Sequence, residues 1–181
     1  MPEWKSFTFG EGGEATPTAE APTPASTNPA MEPDEYAAKW GTEVSEVTIA
    51  RIEAILEGDG LPHGSSEFIA FTQLEDIPFQ VHREPADAAW AQIETRILPV
   101  GEGHTEASLQ AIANRWNTEH LQPTVFPIES EDGWILVAAS RFFVGEGLSD
   151  RQIHAMLRRG LIIGVSAAQE VPSFFDEASA E

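Results

Sequence analysis

The chain contains no cysteine. Disulfides, thiolate metal sites and cysteine nucleophiles are therefore excluded, although the absence says little about compartment. Basic residues are scarce as well: 10 lysines and arginines stand against 30 aspartates and glutamates, a formal charge of −20 over 181 residues. A surface of that sign repels phosphate backbones and anionic lipids, which argues against nucleic-acid and membrane-surface partners. No apolar run approaches the roughly 20 residues needed to span a bilayer. The N-terminal MPEWKSFTFGEGG lacks the basic-then-apolar order of a secretory signal, so the expected location is the cytoplasm.

Hydrophobic residues make up 41% of the chain, enough for one core, and the length suits one domain with a tail. The acidity is not confined to that tail. Residues 1–47 carry 9 acids and 2 bases, whereas residues 48–181 carry 21 acids and 8 bases, a net −13. From Gly10 to about Pro33 the chain is Pro, Ala, Thr, Glu and Ser with Met31 as its one large apolar residue. Such a stretch cannot bury enough surface to offset chain entropy, so residues 1–43 are expected to form a disordered tail. Trp4, Phe7 and Phe9 read either as a short docking motif or as an apolar end without contacts. The folded domain is expected at 44–177.

Within it, Ile49, Ile52, Ile55 and Leu56 fall at helical spacing behind a Thr48 cap, and Gly58-Asp59-Gly60 ends that helix. Strands are expected at Phe68–Leu74, Ile77–His82 and Trp90–Leu98, with Gly64-Ser65-Ser66 as a loop. A second helix runs from a Thr105 cap to about His120. Strands at Thr124–Glu129 and Trp134–Val144 flank Glu131-Asp132-Gly133, a strong hairpin signal. Ser149 and Gln152 have the spacing of a capping box opening a third helix, which continues to Ala167-Ala168. The order α-β-β-β-α-β-β-α predicts an α+β fold with an antiparallel five-stranded sheet and three helices. Gly160 and Gly164 lie on the apolar stripe of helix three, and we infer that they sit against the sheet where a side chain would not fit.

Two motifs invite a chemical reading. PVGEGHTEASLQAI at 99–112 and FVGEGLSDRQIHAM at 143–156 both run a strand through Val-Gly-Glu-Gly into a capped helix. Glycine-rich loops of this kind can cradle phosphate. Here Glu102, Glu106, Glu146 and Asp150 place carboxylates where an anion needs donors, and no lysine follows. The acids complement helix dipoles instead. The second motif is Asn114-Arg115-Trp116-Asn117-Thr118-Glu119-His120. On a regular helix Glu119 lies about 100° from His120, so the two do not form a base and its orienter. Trp116 reads as core and Asn117 as a partner for the departing backbone. His63, His82, His104 and His154 show no metal-ligand spacing, and there is no Gly-x-Ser-x-Gly elbow. No catalytic, cofactor or metal residue is assigned.

The helix ending Asn114-x-Trp116-Asn117, the apolar hairpin, and a last helix with Arg158-x-Gly160 followed by small residues together resemble the YbjN family of bacterial domains. The resemblance spans Val44–Glu177 and is best from Leu98 onward. It implies a fold similar to type III secretion chaperones and a role in sensory transduction regulation, and it supplies no catalytic residues. A binding surface is read from the residues themselves. WILVAASRFFV at 134–144 is apolar on both faces, and Arg141 marks Ile135, Val137 and Phe143 as the outer set. An apolar second face calls for a cover, so a protein partner or homodimer is expected. The expected function is a non-enzymatic protein-binding module with a chaperone-like or regulatory role. The alternative is a sensor holding a small metabolite between helices and sheet near the two Val-Gly-Glu-Gly loops.

Overall fold

The structure is a computed structural model and describes residues 7–9, 15–17, 40–83, 85–99 and 104–178. The chain divides into two units, Met1–Pro33 and Asp34–Glu181. In the first, β1 (Phe7–Phe9) pairs antiparallel with β2 (Ala15–Pro17). Ala15–Pro17 thus form a strand inside the stretch expected to be without structure. Most of the expected tail, Trp4 included, lies outside the described residues. Trp40, ahead of the expected start at Val44, already packs against the core of the second unit.

The second unit runs α1 (Ile49–Gly58), β3 (His63–Ser65), β4 (Ile69–Leu74), β5 (Ile77–His82), β6 (Trp90–Ile97), α2 (Glu106–Glu119), β7 (Thr124–Ser130), β8 (Gly133–Phe143), α3 (Asp150–Glu170) and α4 (Pro172–Ala178). Its sheet is antiparallel throughout in the order β3-β4-β5-β6-β8-β7. The sheet therefore has six strands, not five. The additional one falls on Gly64-Ser65, where a loop was expected: His63–Ser65 register against Thr72–Ala70, and Ser66 N–H donates to Ile69 O at 2.8 Å. Three residues with no apolar alternation leave no strand signal; the pairing comes from the neighbouring chain. A short edge strand of this kind also limits unwanted pairing.

Local chemistry explains the connections. The β4–β5 turn places Glu75 at φ 50° and Asp76 at φ 63°, the double left-handed geometry whose twist suits a two-residue hairpin. In the β7–β8 turn Gly133 carries φ +117°, which a side chain would strain. Thr48, Thr105 and Ser149 each accept a hydrogen bond from the first turn of α1, α2 and α3. Thr105 with Ser108 and Ser149 with Gln152 complete reciprocal capping boxes.

The helices cover one sheet face in two clusters. Ile52, Leu56, Ile153 and Leu157 of α1 and α3 pack on Phe79, Val81 and Ile93. Leu109 and Trp116 of α2, with Val171 and Phe175, pack on Val125, Leu136 and Ala138. One cation holds the start of the unit in place. Arg51 donates to the Ser45, Glu46 and Leu148 carbonyls and to Asp150 Oδ1 at 2.6 Å, alongside the bridge between Ser45 and Leu148.

Helix α3 lies so close to the sheet that two positions have no room for a β-carbon. One added at Gly160 would stand 2.5 Å from Ile93 Cδ1, and one at Gly164 would stand 2.5 Å from Phe79 Cε1. An isoleucine tip can rotate away, whereas a phenyl ring in a packed core cannot. Gly164→Leu should cost about 3 kcal/mol by overpacking, and Gly160→Leu should also destabilise but less. Urea unfolding at equilibrium checks this; unchanged midpoints for both variants would show that α3 can move off the sheet.

Candidate functional site

Helices occupy one face of the sheet, so the other face is where a surface can be offered. Its residues follow from the pleat: Phe71 on β4, His82 on β5, Trp90, Gln92, Glu94 and Arg96 on β6, and Ile135, Val137, Ala139, Arg141 and Phe143 on β8. The three residues expected to bind a partner do not share one environment. Phe143 is 51% exposed, but Ile135 is 7% and Val137 1% exposed. Val137 registers between Arg96 and Phe126, whose longer side chains flank it on the same face. A charge at Val137 would therefore disturb the fold, unlike one at Phe143. What the face does expose is aromatic. Trp90, 54% exposed, is the direct cross-strand partner of Phe143, with ring centroids 5.5 Å apart in an edge-on contact, and Phe71 is 41% exposed.

A polar network crosses the middle of this face. Arg141 Nε donates to Gln92 Oε1 at 2.7 Å, Gln92 Nε2 donates to Glu94 Oε2 at 2.6 Å, and His82 Nε2 lies 3.1 Å from Glu94 Oε1. Burial by itself would raise the Glu94 pKa. The close approach of His82, the hydrogen bond from Gln92, and the charges of His82 and Arg96 outweigh it and hold the carboxyl below its ordinary 4.5. The arrangement stabilises a carboxylate; it does not poise a proton for transfer.

At the sheet edge, Trp116 and Asn117 explain the Asn-x-Trp-Asn motif. Trp116 Nε1 donates to Pro123 O at 2.9 Å, after the cis Gln122–Pro123 bond. Asn117 Nδ2 donates to Val125 O at 2.7 Å, and Val125 N–H donates to Asn117 Oδ1 at 2.8 Å. The side-chain amide thus occupies both main-chain groups that Val125 turns away from β8. His120 stacks on Trp116 with centroids 3.7 Å apart and lies 4.0 Å from Glu170, while Glu119 sits 3.8 Å from Arg115. The histidine and the neighbouring carboxylate face different partners.

The first Val-Gly-Glu-Gly loop lies outside the described residues. In the second, a β-carbon at Gly147 would stand 2.6 Å from Ser45 O, so that glycine serves a close approach of two backbones. Sequence reasoning missed a pair with a buried histidine: His154 Nε2 lies 3.1 Å from Asp59 Oδ2, with the Trp40 ring 5.8 Å from the imidazole. It also missed Trp90 against Phe143. These partners are distant in sequence, and no spacing could announce them. Among the described residues no group of three or more His, Cys, Asp or Glu could hold a metal ion, and no helix is long and apolar enough to cross a membrane.

Two outcomes follow from this geometry. Asn117→Ala strands two main-chain groups and should cost about 1–3 kcal/mol, measured by urea unfolding. Glu94 has a lower pKa folded than unfolded, so its stabilisation is complete above the unfolded value and is lost as pH falls through the folded one. Glu94→Gln should therefore flatten the fall in stability below pH 4.5. An acid limb identical to that of the parent would show that the network adds nothing.

A family model described as "YbjN: Putative bacterial sensory transduction regulator" matches residues 48–171. The fold is similar to a crystal structure titled as YbjN, "a putative transcription regulator from E. coli", at 13% identity and a TM-score of 0.55. That similarity covers 72% of this chain and 93% of the other, and at this identity it concerns the fold. No curated protein matches the chain.

Proposed function

Because this chain belongs to the YbjN family, we propose that it is a non-enzymatic protein-binding module with a regulatory, chaperone-like role, working in the cytoplasm with a protein partner or a second copy of itself. The observation that supports this most directly is the Trp90–Phe143 pair, two large rings about half exposed on adjacent strands of the face opposite the helices. Large exposed rings of this kind are the side chains that anchor protein interfaces. Arg141, next to Phe143, adds a cation to an otherwise acidic surface. The net −13 of residues 48–181 weighs against direct contact with DNA. A regulator of this charge would reach a promoter through another protein.

A second reading keeps one observation of its own. Arg151, Arg158, Arg159 and Ile162 line a groove of about 520 Å³ along the exposed stripe of α3, with His154 at its floor. That chemistry suits a small anionic ligand, although the groove lies outside the helix layer and not between helices and sheet.

Native mass spectrometry of the full-length protein from its own host separates the two. A homodimer or stoichiometric complex that Phe143→Glu dissociates, with the thermal melt unchanged, is the expected result. A monomer carrying a small added mass would favour the ligand reading, and a bare monomer would count against both.

A further inference from the structure

We propose that β8 accepts an extended peptide from a partner protein as an added strand beside Ser140–Phe143, in line with β7. The inference deepens the protein-binding reading and rests on it. It begins with the direction of main-chain groups. Val144 N–H donates to Ala89 O at 2.8 Å, and Phe142 and Ser140 register with Ala91 and Ile93. Residues of an antiparallel strand alternate between bonding one neighbour and the other. The N–H and C=O of Arg141 and Phe143 therefore point away from β6. Strand β7 begins at Thr124, opposite Ala139, and extends no further along β8. On that side Arg141 and Phe143 have no strand beside them among the described residues.

The other edges of the sheet are blunted. Asn117 fills the outward groups of Val125, Pro127 has no N–H to offer, and β3 is three residues long. Among the described residues, only the end of β8 keeps successive outward residues, Arg141 and Phe143, that no strand or side chain pairs. Beside it lies a notch of about 330 Å³ whose lining includes Leu121, Gln122, Thr124, Ser140 and Arg141. Ser140 is 3% exposed, and its hydroxyl has no hydrogen-bond partner among the described residues.

These features specify the occupant. Unmatched main-chain groups are complemented by another main chain, which requires an extended segment without proline at the paired positions. Phe143 and Leu121, 51% and 93% exposed, favour an apolar side chain on that segment. Arg141 donates through Nε to Gln92 and retains guanidinium N–H groups for an acidic side chain. The segment is thus an acidic, apolar peptide in strand conformation.

The test uses full-length, ¹⁵N-labelled protein and the acetylated peptide Val-Glu-Val-Thr-Val. Two analogues carry N-methyl groups on alternate residues, one set for each edge of the peptide. A paired strand shows only one edge to β8, so one analogue should bind about tenfold more weakly and the other like the parent. The amide signals of Arg141 and Phe143 should shift during the titration and exchange more slowly at saturation. Two analogues that bind like the parent, or amides that do not respond at about 1 mM peptide, would overturn the added strand. If Phe143→Glu still dissociates the native assembly in that case, protein binding stands and only this mode of it falls.

Discussion

A sheet that ends must dispose of the main-chain groups along its last strand, and in this domain an amide side chain takes the first outward pair. Asn117 holds both outward groups of Val125, while Trp116, one residue earlier, donates to Pro123. The last turn of α2 is thereby fixed to the start of β7. That attachment sets where Leu109 and Trp116 meet Val125, Leu136 and Ala138, and so where the second core cluster forms. It also closes the start of one sheet edge; among the described residues, no strand pairs β8 beyond Ala139 on that side.

The remaining architecture depends on how closely α3 approaches the sheet. Gly160 and Gly164 let the helix backbone settle onto Ile93 and Phe79, and the core on both sides takes its depth from that distance. Arg51 then ties the N-terminal approach to the start of the same helix through Leu148 and Asp150. Helices crowded on one face leave the opposite face to its own strands. There the centre is stabilised by Arg141, Gln92, Glu94 and His82, and the aromatic pair stands at its end. Polar centre and aromatic margin follow from the same alternation that builds the core.

Charge narrows what such a surface can meet. A domain of net −13 has no general attraction for polyanions, so selectivity must come from local cations such as Arg141 and from shape. Exposed rings lie at the Phe143 end of β8, beside residues that no described strand pairs on the β7 side, and a polypeptide is the kind of partner that would satisfy both.

Much of the fold was legible because it is locally encoded. Helical spacing, the Thr105 and Ser149 caps and the Asp132-Gly133 turn mark three helices and the β7–β8 hairpin from neighbours in sequence alone. The alternation of β8 marked its outer set, and the glycines of α3 marked a close approach. The sixth strand was not legible, because His63–Ser65 become a strand only when β4 lies beside them. Ile135 and Val137 looked like surface for a related reason: alternation assigns a side chain to a face but does not say how far cross-strand neighbours cover it. Trp90 against Phe143, Asp59 against His154 and Gln92 against Arg141 all join chain segments far apart in sequence. Local pattern determined the elements and their inward faces; the tertiary structure alone decided exposure, edges and partners, because those depend on which strands come to lie side by side.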